Sequence, residues 1–203
     1  MKKLIIIGAG GHGRVIADIA QKLKIYDAIA FLDDGDGKES MGLPIVGKTA
    51  DAEKYIPTAD IFVAIGNSKV REAFIEKLRL KGANIPTLIH PNAVFGACVE
   101  IGVGAVVMAG AIINPCAKIG VGCIVNTSSS VDHDCLIGDY CHIAVGAHLA
   151  GAVTLKEHTW VGAGATISNN VTVCEGCMIG AGAVVVKDIV KSGTYIGVPA
   201  RMK

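Results

Sequence analysis

Apolar residues follow two different patterns along the chain, and the change comes near residue 88. In the first part, Lys3–Ile7, Ala28–Leu32 and Asp60–Ile65 are short apolar runs typical of buried strands. Residues 15–23 and Asn67–Leu80 instead carry apolar side chains at helical spacing. Because strands alternate with helices, this part predicts a small parallel sheet with right-handed crossovers.

From residue 89 onward, an apolar side chain recurs every six residues without interruption. The repeated positions are Ile89, Phe95, Ile101, Val107, Ile113, Ile119, Val125, Val131, Ile137, Ile143, Leu149, Leu155, Val161, Ile167, Val173, Ile179 and Val185. A small or β-branched residue precedes each later member by two positions. A period of six fits neither a helix nor an ordinary strand, and it is typical of a parallel β-helix in which each hexad forms one side of a coil.

Glycines indicate how many sides each coil has. They follow the repeated residue at 102, 120, 138, 162 and 180, at spacings of 18 or other multiples of six. Such coils stack equivalent side chains about 4.8 Å apart, so a narrow three-sided prism needs few aromatic residues, which make up 4% of the chain. The sequence therefore predicts an α/β domain over residues 1–87, resembling half of a Rossmann fold, and a β-helix of hexapeptide repeats over 88–203.

Composition and charge exclude several classes of function. The 203 residues carry a net charge of +1 and are 18% charged, which argues against disorder and against a surface for nucleic acid or another polyanion. One of the longest uncharged stretches, Ile101–Ala117, contains glycines and a proline and belongs to the repeat. We therefore expect no membrane-spanning segment and no association with a membrane.

The cysteines bear on location and on metal binding. Their number, seven, is odd, and glycines interrupt the N-terminal apolar run too early for an export signal. A reducing, cytoplasmic location is therefore expected. Cys174 and Cys177 form a CxxC pair, but their hexad positions predict side chains that point apart, and no metal site is predicted.

His133 is the strongest candidate for proton transfer among the six histidines. It lies between Asp132 and Asp134, at the third position of its hexad, which we expect to face away from the core. An imidazole titrates near neutral pH and suits a general base, and a neighbouring carboxylate can orient it. A solvated polar corner would have the same residues, so the local sequence leaves both interpretations open.

His142 lies nine residues later, which is half a coil. Within one prism it cannot face the same groove as His133. If both serve one site, they come from neighbouring chains, and this predicts an oligomer with sites between subunits. His148 shares the hexad position of His142, and His90 and His158 are expected to be structural.

A glycine loop, Gly8-x-Gly10-x-x-Gly13, follows the first predicted strand and opens a helix, and Asp33 comes 20 residues after Gly13. This is the dinucleotide fingerprint, in which backbone N–H groups hold phosphates and an acid binds the ribose. However, the about 85 residues of this part are half of a doubly wound fold, and no residues for hydride transfer accompany the loop. The same interactions would hold the diphosphate of a nucleotide sugar.

Several segments together resemble a known family. The hexapeptide repeat closed by Gly197–Ala200 is similar to the left-handed β-helix acyltransferases. The loop 8–13, the pair Asp33-Asp34, Ala64–Asn67 and Val131–Gly138 resemble the bacterial sugar acetyltransferases of the PglD/NeuD type. The resemblance covers nearly the whole chain and implies that the α/β domain is followed by a left-handed parallel β-helix.

The resemblance implies an N-acetyltransferase that uses acetyl-CoA to acetylate the amino group of a UDP-linked 4-amino-sugar for glycan biosynthesis. His133 matches the general base of this family and Asp134 its supporting acid. The family carries glutamates around the histidine, whereas this chain has the shorter Asp132 and Asp134. Two alternatives stay open: O-acetylation of sialic acid or another sugar, and a nucleotide-binding solenoid without catalysis.

A homotrimer that binds acetyl-CoA in grooves between its subunits, without a metal, is also implied by the resemblance. The positions that match acetyl-CoA contacts are His142, Gly151, Ala163 and Ala181. Those expected to bind the nucleotide sugar are Gly11, His12, Gly13, Asp33, Asp34, Gly66 and Asn67. Arg71 is a possible phosphate ligand, but its place on a helix favours a solvated side chain.

Overall fold

The computed structural model describes residues 1–203 and divides them into two units, Met1–Pro91 and Asn92–Lys203. It confirms the predicted order of a small parallel sheet followed by a left-handed β-helix. The elements of the first unit are β1 (Lys3–Ile7), α1 (Gly11–Leu23), β2 (Ala28–Leu32), β3 (Glu39–Ser40), β4 (Leu43–Pro44), a 3-10 helix (Thr49–Tyr55), β5 (Asp60–Val63), α2 (Ser68–Leu80) and β6 (Leu88–Ile89).

The core of the first unit is a three-stranded parallel sheet in the order β2–β1–β5. Leu4 of the central strand lies opposite Ile29 of β2 and Asp60 of β5. Residues 4–7 of β1 are buried, as expected for a parallel strand covered on both sides. Helix α1 buries Ile16 and Ile19, which belong to its apolar stripe.

The second unit is a β-helix whose strands lie on three sheets, which are parallel except where Arg201–Met202 pairs antiparallel with Thr194–Ile196. Face 1 consists of Val94–Phe95, Ile112–Ile113, Ser130–Val131, His148–Leu149, Thr166–Ile167 and Val184–Val185. Face 2 consists of Glu100–Ile101, Lys118–Ile119, Leu136–Ile137, Thr154–Leu155 and Thr172–Val173. Face 3 includes Val106–Val107, Ile124–Val125, His142–Ile143, Trp160–Val161, Met178–Ile179, Thr194–Ile196 and Arg201–Met202.

Within the hexapeptide repeat, neighbouring strands of each face are one coil apart, and this confirms the predicted eighteen-residue coil. On face 1, Ile112 pairs in parallel with Val94 on one side and with Ser130 on the other. The repeated aliphatic side chains point inward, and Ile113 and Val131 are fully buried. Stacks of such side chains supply the apolar burial that holds the coils together.

The corners follow a rule that the apolar pattern does not show. The third residue after each repeated apolar residue from Phe95 to Ile179 adopts a left-handed φ, often as glycine. At the corner from face 1 to face 2, called the face 1–2 corner, this position has φ values from 56 to 63° in Cys98, Cys116, Asp134, Ala152 and Asn170. At the other two corners of the coil this position is mostly glycine, and because left-handed φ favours glycine, those corners account for part of the high glycine content.

Two expectations from the sequence are wrong. Arg71 is 1% exposed, because its Nη1 turns back under the loop after β5 and donates to the carbonyls of Ile65 and Gly66 over 2.9 and 2.8 Å. The Sγ atoms of Cys174 and Cys177 lie 3.5 Å apart, because a corner bends the chain between these two residues. The linear hexad pattern predicts which residues face inward, but it does not describe this bend.

Three further properties concern the chain as a whole. None of its helices combines the length and the apolar character that crossing a bilayer requires. No three His, Cys, Asp or Glu side chains are grouped so that they could hold a metal ion. All seven cysteines are free thiols.

Candidate active site

His133 lies at the face 1–2 corner, with its side chain 59% exposed. Its Nδ1 donates a hydrogen bond to Oδ2 of Asp134 over 2.8 Å. Asp134 occupies the left-handed corner position, with φ of 58°, which Asp tolerates better than most residues do. This hydrogen bond is the main cause that raises the pKa of His133 above its ordinary value.

The same contact decides which ring nitrogen can act as a base. An ionised carboxylate only accepts hydrogen bonds, so Nδ1 of His133 carries the proton and Nε2 keeps its lone pair. The exposed ring gives a reactant access to Nε2. The pair can therefore take a proton from a nucleophile, and Asp134 can stabilise the imidazolium that forms.

Asp132 anchors the backbone of the same corner. Its Oδ1 accepts hydrogen bonds from the backbone N–H of His133 over 2.7 Å and from Nδ2 of Asn114 over 2.8 Å. These two bonds lower the pKa of Asp132, so its carboxylate stays ionised. Asn114 is missing from the sequence-based site, although it lies one coil, or 18 residues, before Asp132.

Gly151 lies one coil after His133 and is buried beneath its ring. A Cβ atom at residue 151 would be 2.5 Å from Nε2 and 2.7 Å from Cε1 of His133. Of the four positions expected to contact acetyl-CoA, Gly151 is therefore the one beside the candidate base.

His142 lies on face 3, where its ring stacks on that of Trp160 with 4.8 Å between ring centroids. Its Nε2 is 3.1 Å from Nδ2 of Asn126. The amide oxygen of Asn126 accepts from the backbone N–H of Thr127 over 2.8 Å, so the NH₂ group faces His142. In the neutral ring, Nε2 is then the acceptor and Nδ1 carries the proton.

The positions expected to contact acetyl-CoA lie in two places on the prism. Gly151 shares the face 1–2 corner with His133. His142 is on face 3, and Ala163 and Ala181 are exposed, one coil apart, at the corner between face 3 and face 1. In a three-sided coil the face 1–2 corner lies opposite face 3, so one chain alone does not bring His142 to the ring of His133.

In the first unit, the glycine loop lies between β1 and α1. Gly8 has φ of 101°, and a Cβ atom at Gly13 would collide with the carbonyl of Gly8. Gly10 is the N-cap of α1, and neither Gly10 nor Gly11 has a neighbour within 4 Å of the Cβ position. The backbone at the start of α1 is thus open to a ligand, and helix N-termini favour anions.

The carboxylates of Asp33 and Asp34 both accept hydrogen bonds within the chain. Asp33 accepts from the backbone N–H groups of Ala9 and Gly35 over 2.8 and 2.9 Å, which ties it to the glycine loop. Asp34 accepts from the backbone N–H and the hydroxyl of Thr49 over 2.9 and 2.8 Å. These bonds lower the pKa of Asp34, and any contact with a nucleoside would use its remaining acceptor capacity.

His12 and Asn67 lie near the start of the two helices of this unit. Burial, together with the positive charge of Arg71, lowers the pKa of His12 to about 4, so its ring is neutral at neutral pH. Its buried Nε2 has no hydrogen-bond partner within the chain. Asn67 caps α2 by accepting from the backbone N–H of Val70 over 3.1 Å, and Gly66 beside it is exposed.

Two protein families match parts of the chain. The PglD N-terminal domain matches residues 3–78, and the bacterial transferase hexapeptide (six repeats) matches residues 152–187. A curated relative, UDP-N-acetylbacillosamine N-acetyltransferase from Bacillus subtilis, is 38% identical over 114 residues, which are 54% of this chain and 52% of the relative. The match therefore spans about half the length of this relative.

Solved structures match over nearly the whole chain. The acetyltransferase domain of PglB from Neisseria gonorrhoeae is 41% identical, with a TM-score of 0.97 and coverage of 99% of both chains. The same domain in complex with acetyl coenzyme A has a TM-score of 0.95 and coverage of 99 and 98%. PerB from Caulobacter crescentus, in complex with CoA and GDP-perosamine, is 35% identical, with a TM-score of 0.91 and coverage of 99 and 97%.

Proposed function

Because the chain belongs to the PglD-type family of hexapeptide-repeat sugar acetyltransferases, we propose that it transfers the acetyl group of acetyl-CoA to the amino group of a UDP-linked 4-amino-sugar. The observation that carries this proposal is the exposed ring of His133, which holds a proton on Nδ1 against Asp134 and leaves Nε2 free. A relative described as an N-acetyltransferase and a similar acetyltransferase domain solved with acetyl coenzyme A support the reaction class.

In the proposed reaction, Nε2 of His133 accepts a proton from the sugar amine as the amine nitrogen attacks the thioester carbonyl carbon. The C–N bond forms, the C–S bond breaks, and the CoA thiolate leaves. The imidazolium of His133 then returns its proton to that thiolate, so that CoA leaves as a thiol. Asp134 holds the ring in one tautomer and stabilises its charged form throughout.

We further propose a homotrimer with its sites between subunits. His133 and Gly151 lie at one corner of the prism, whereas His142, Ala163 and Ala181 lie on face 3 and the corner that follows it. A single acetyl-CoA that contacts both sets therefore needs two chains. A ring of three chains would close this head-to-tail contact.

In this proposal the nucleotide sugar binds to the first unit. The start of α1, with its open backbone at Gly11 followed by His12 and Gly13, would hold the diphosphate. The predicted contacts of Asp33 and Asp34 with the nucleoside, and of Gly66 and Asn67 with the rest of the ligand, belong to the same proposal. A cytoplasmic location fits the seven free thiols.

The test is replacement of His133 by alanine, with release of the CoA thiol as the measurement. Acceptors are UDP- and GDP-linked 4-amino-sugars, sialic acid, and buffer alone. The rate with the UDP-linked sugar should fall by about 10²- to 10⁴-fold, since that is the usual contribution of a general base. His148→Ala is the matched control, because His148 is an exposed histidine on face 1.

The acceptor series separates the alternatives. Full activity of His133→Ala would remove this residue as the base. Transfer to sialic acid without transfer to any amino-sugar would instead favour an O-acetyltransferase, and nucleotide binding without thiol release would favour a solenoid without catalysis.

A further inference from the structure

Equivalent residues of successive coils can be compared at the face 1–2 corner. The second position after each repeated apolar residue there is held by Ala97, Pro115, His133, Gly151, Asn169 and Lys187. Five of these six have a side chain, so the corner itself accepts one. The backbone of Gly151 has no left-handed φ that would require glycine. The reason for glycine at residue 151 must therefore lie in its surroundings.

Those surroundings are the imidazole of His133. A Cβ atom at residue 151 would lie 2.5, 2.7 and 3.2 Å from Nε2, Cε1 and Cδ2 of this ring. Ordinary contacts between non-bonded carbon atoms are about 3.5–4.0 Å. The ring thus occupies the space that a side chain at residue 151 would need.

We propose that Gly151 is a positioning residue for His133, because the missing Cβ lets the ring lie in the orientation that joins Nδ1 to Asp134. This inference deepens the proposed function and rests on His133 being its general base. It differs from a contact with acetyl-CoA, because the effect passes through the orientation of the ring. The three restraints on the residue are Asp134 at Nδ1, Asp132 at the backbone N–H, and Gly151 beneath the ring.

An added methyl group should move the ring and leave the coil intact. The atoms in the way are the far end of an exposed side chain, which can swing aside without shifting the backbone. Swinging aside breaks the hydrogen bond to Asp134. Asp134 and Asp132 are the charged groups that raise the pKa of His133, and Asp134 has the larger effect. Gly151→Ala should therefore bring this pKa back towards its ordinary value.

The experiment measures the titration of His133 without substrate. Histidine labelled with 13C at Cε1 is followed by NMR in the full-length protein, and the signal is assigned by its absence in His133→Ala. In Gly151→Ala we expect His133 to titrate at lower pH than in the unmodified protein, because the hydrogen bond to Asp134 that raises its pKa is lost. The melting temperature should change by less than about 2 °C.

Kinetics provide the second measurement. In Gly151→Ala, kcat should fall by about 10- to 100-fold, as for other small displacements of a catalytic group, and the acidic limb of kcat/KM should move to lower pH with the NMR titration. Ala97→Ser adds one atom at the same corner position three coils before Gly151. It should change neither kcat nor the acidic limb of kcat/KM. In an Asp134→Asn background, Gly151→Ala should cause no further shift of the acidic limb.

The outcomes separate this inference from the proposed function. An unchanged His133 titration, with only a raised KM for acetyl-CoA, would overturn the positioning role and leave His133 as the base. Conversely, the titration shift can appear in the free protein even if His133→Ala proves active, and in that case only the proposed function fails.

Discussion

His133 and His142 are held in the same β-helix by different kinds of neighbour. The hydrogen-bonding partners of His133 are Asp134 and Asp132, which adjoin it in the sequence, and its ring stays exposed at a corner. The partners of His142 are Asn126 and Trp160, which belong to adjacent coils. A reactive group at a corner can thus be arranged by a short segment, whereas a group on a face depends on the stacking of coils.

The largest change in this comparison should come from Asp134→Asn. The base must be neutral to accept a proton, so activity rises with pH through the pKa of His133. Asp134 raises that pKa, and its loss should move the acidic limb of kcat/KM to lower pH. The plateau rate should also fall by about 10- to 100-fold, part of the roughly 10²–10⁴ that a general base supplies.

The pH profile of Asp134→Asn is compared with that of Asp139→Asn, which removes a carboxylate whose Oδ1 accepts from the backbone N–H of Val121. If the acidic limb of kcat/KM stays at the same pH in Asp134→Asn, the carboxylate of Asp134 does not control the charge of His133.

A smaller effect is expected on face 3. Trp160→Ala removes the ring on which His142 stacks, and an aromatic pair of this kind contributes about 0.5–1.5 kcal/mol. If His142 contacts acetyl-CoA, the affinity measured by calorimetry should fall by about 2- to 10-fold, with the acidic limb unchanged. Trp160→Phe keeps a ring and should restore most of the affinity.

Because Trp160 is the only tryptophan, its fluorescence provides a second measurement on the unmodified protein. Acetyl-CoA should change the emission in proportion to binding. Unchanged emission at saturating acetyl-CoA would place the ligand away from this side of the prism.

The smallest effect should follow Asn114→Ala. This change removes one of the two donors to Oδ1 of Asp132 but leaves the bond from the backbone of His133. Since a single hydrogen bond contributes about 0.5–1.5 kcal/mol, with more for a charged partner, kcat should fall by no more than about 10-fold. A loss as large as that of His133→Ala would mean that Asn114 itself contacts the reactants.

The sequence predicts the architecture well because one chemical requirement recurs every six residues. A single misplaced polar residue would interrupt the stack of aliphatic side chains, so the register from Ile89 to Val185 can be followed in the printed sequence. The pairing of His133 with Asp134 is predictable for a similar reason, since the two residues are adjacent. The left-handed corners are less visible, because Asp, Cys, Ala and Asn share the position with glycine.

Contacts between coils and at bends are where sequence reasoning falls short. The ring of His133 over Gly151 and that of His142 on Trp160 each join residues 18 apart, and an eighteen-residue period could have suggested both. No period predicts the buried guanidinium of Arg71, because it turns under a loop outside the repeat. The same limit applies to the approach of the Cys174 and Cys177 sulfurs across a corner.

The uninterrupted register of the coils also gives the prism a regular spacing along its axis. Each step of 18 residues in the sequence moves a side chain along the axis by one rung of about 4.8 Å, with little change in its direction. Ala163 and Ala181 are separated by one such rung. Inserting a whole coil between residues 151 and 163 would move the two alanines one rung further along the axis and keep every inward position filled. The distance between them and Gly151 could thus be set in steps of one rung, to match ligands of different length.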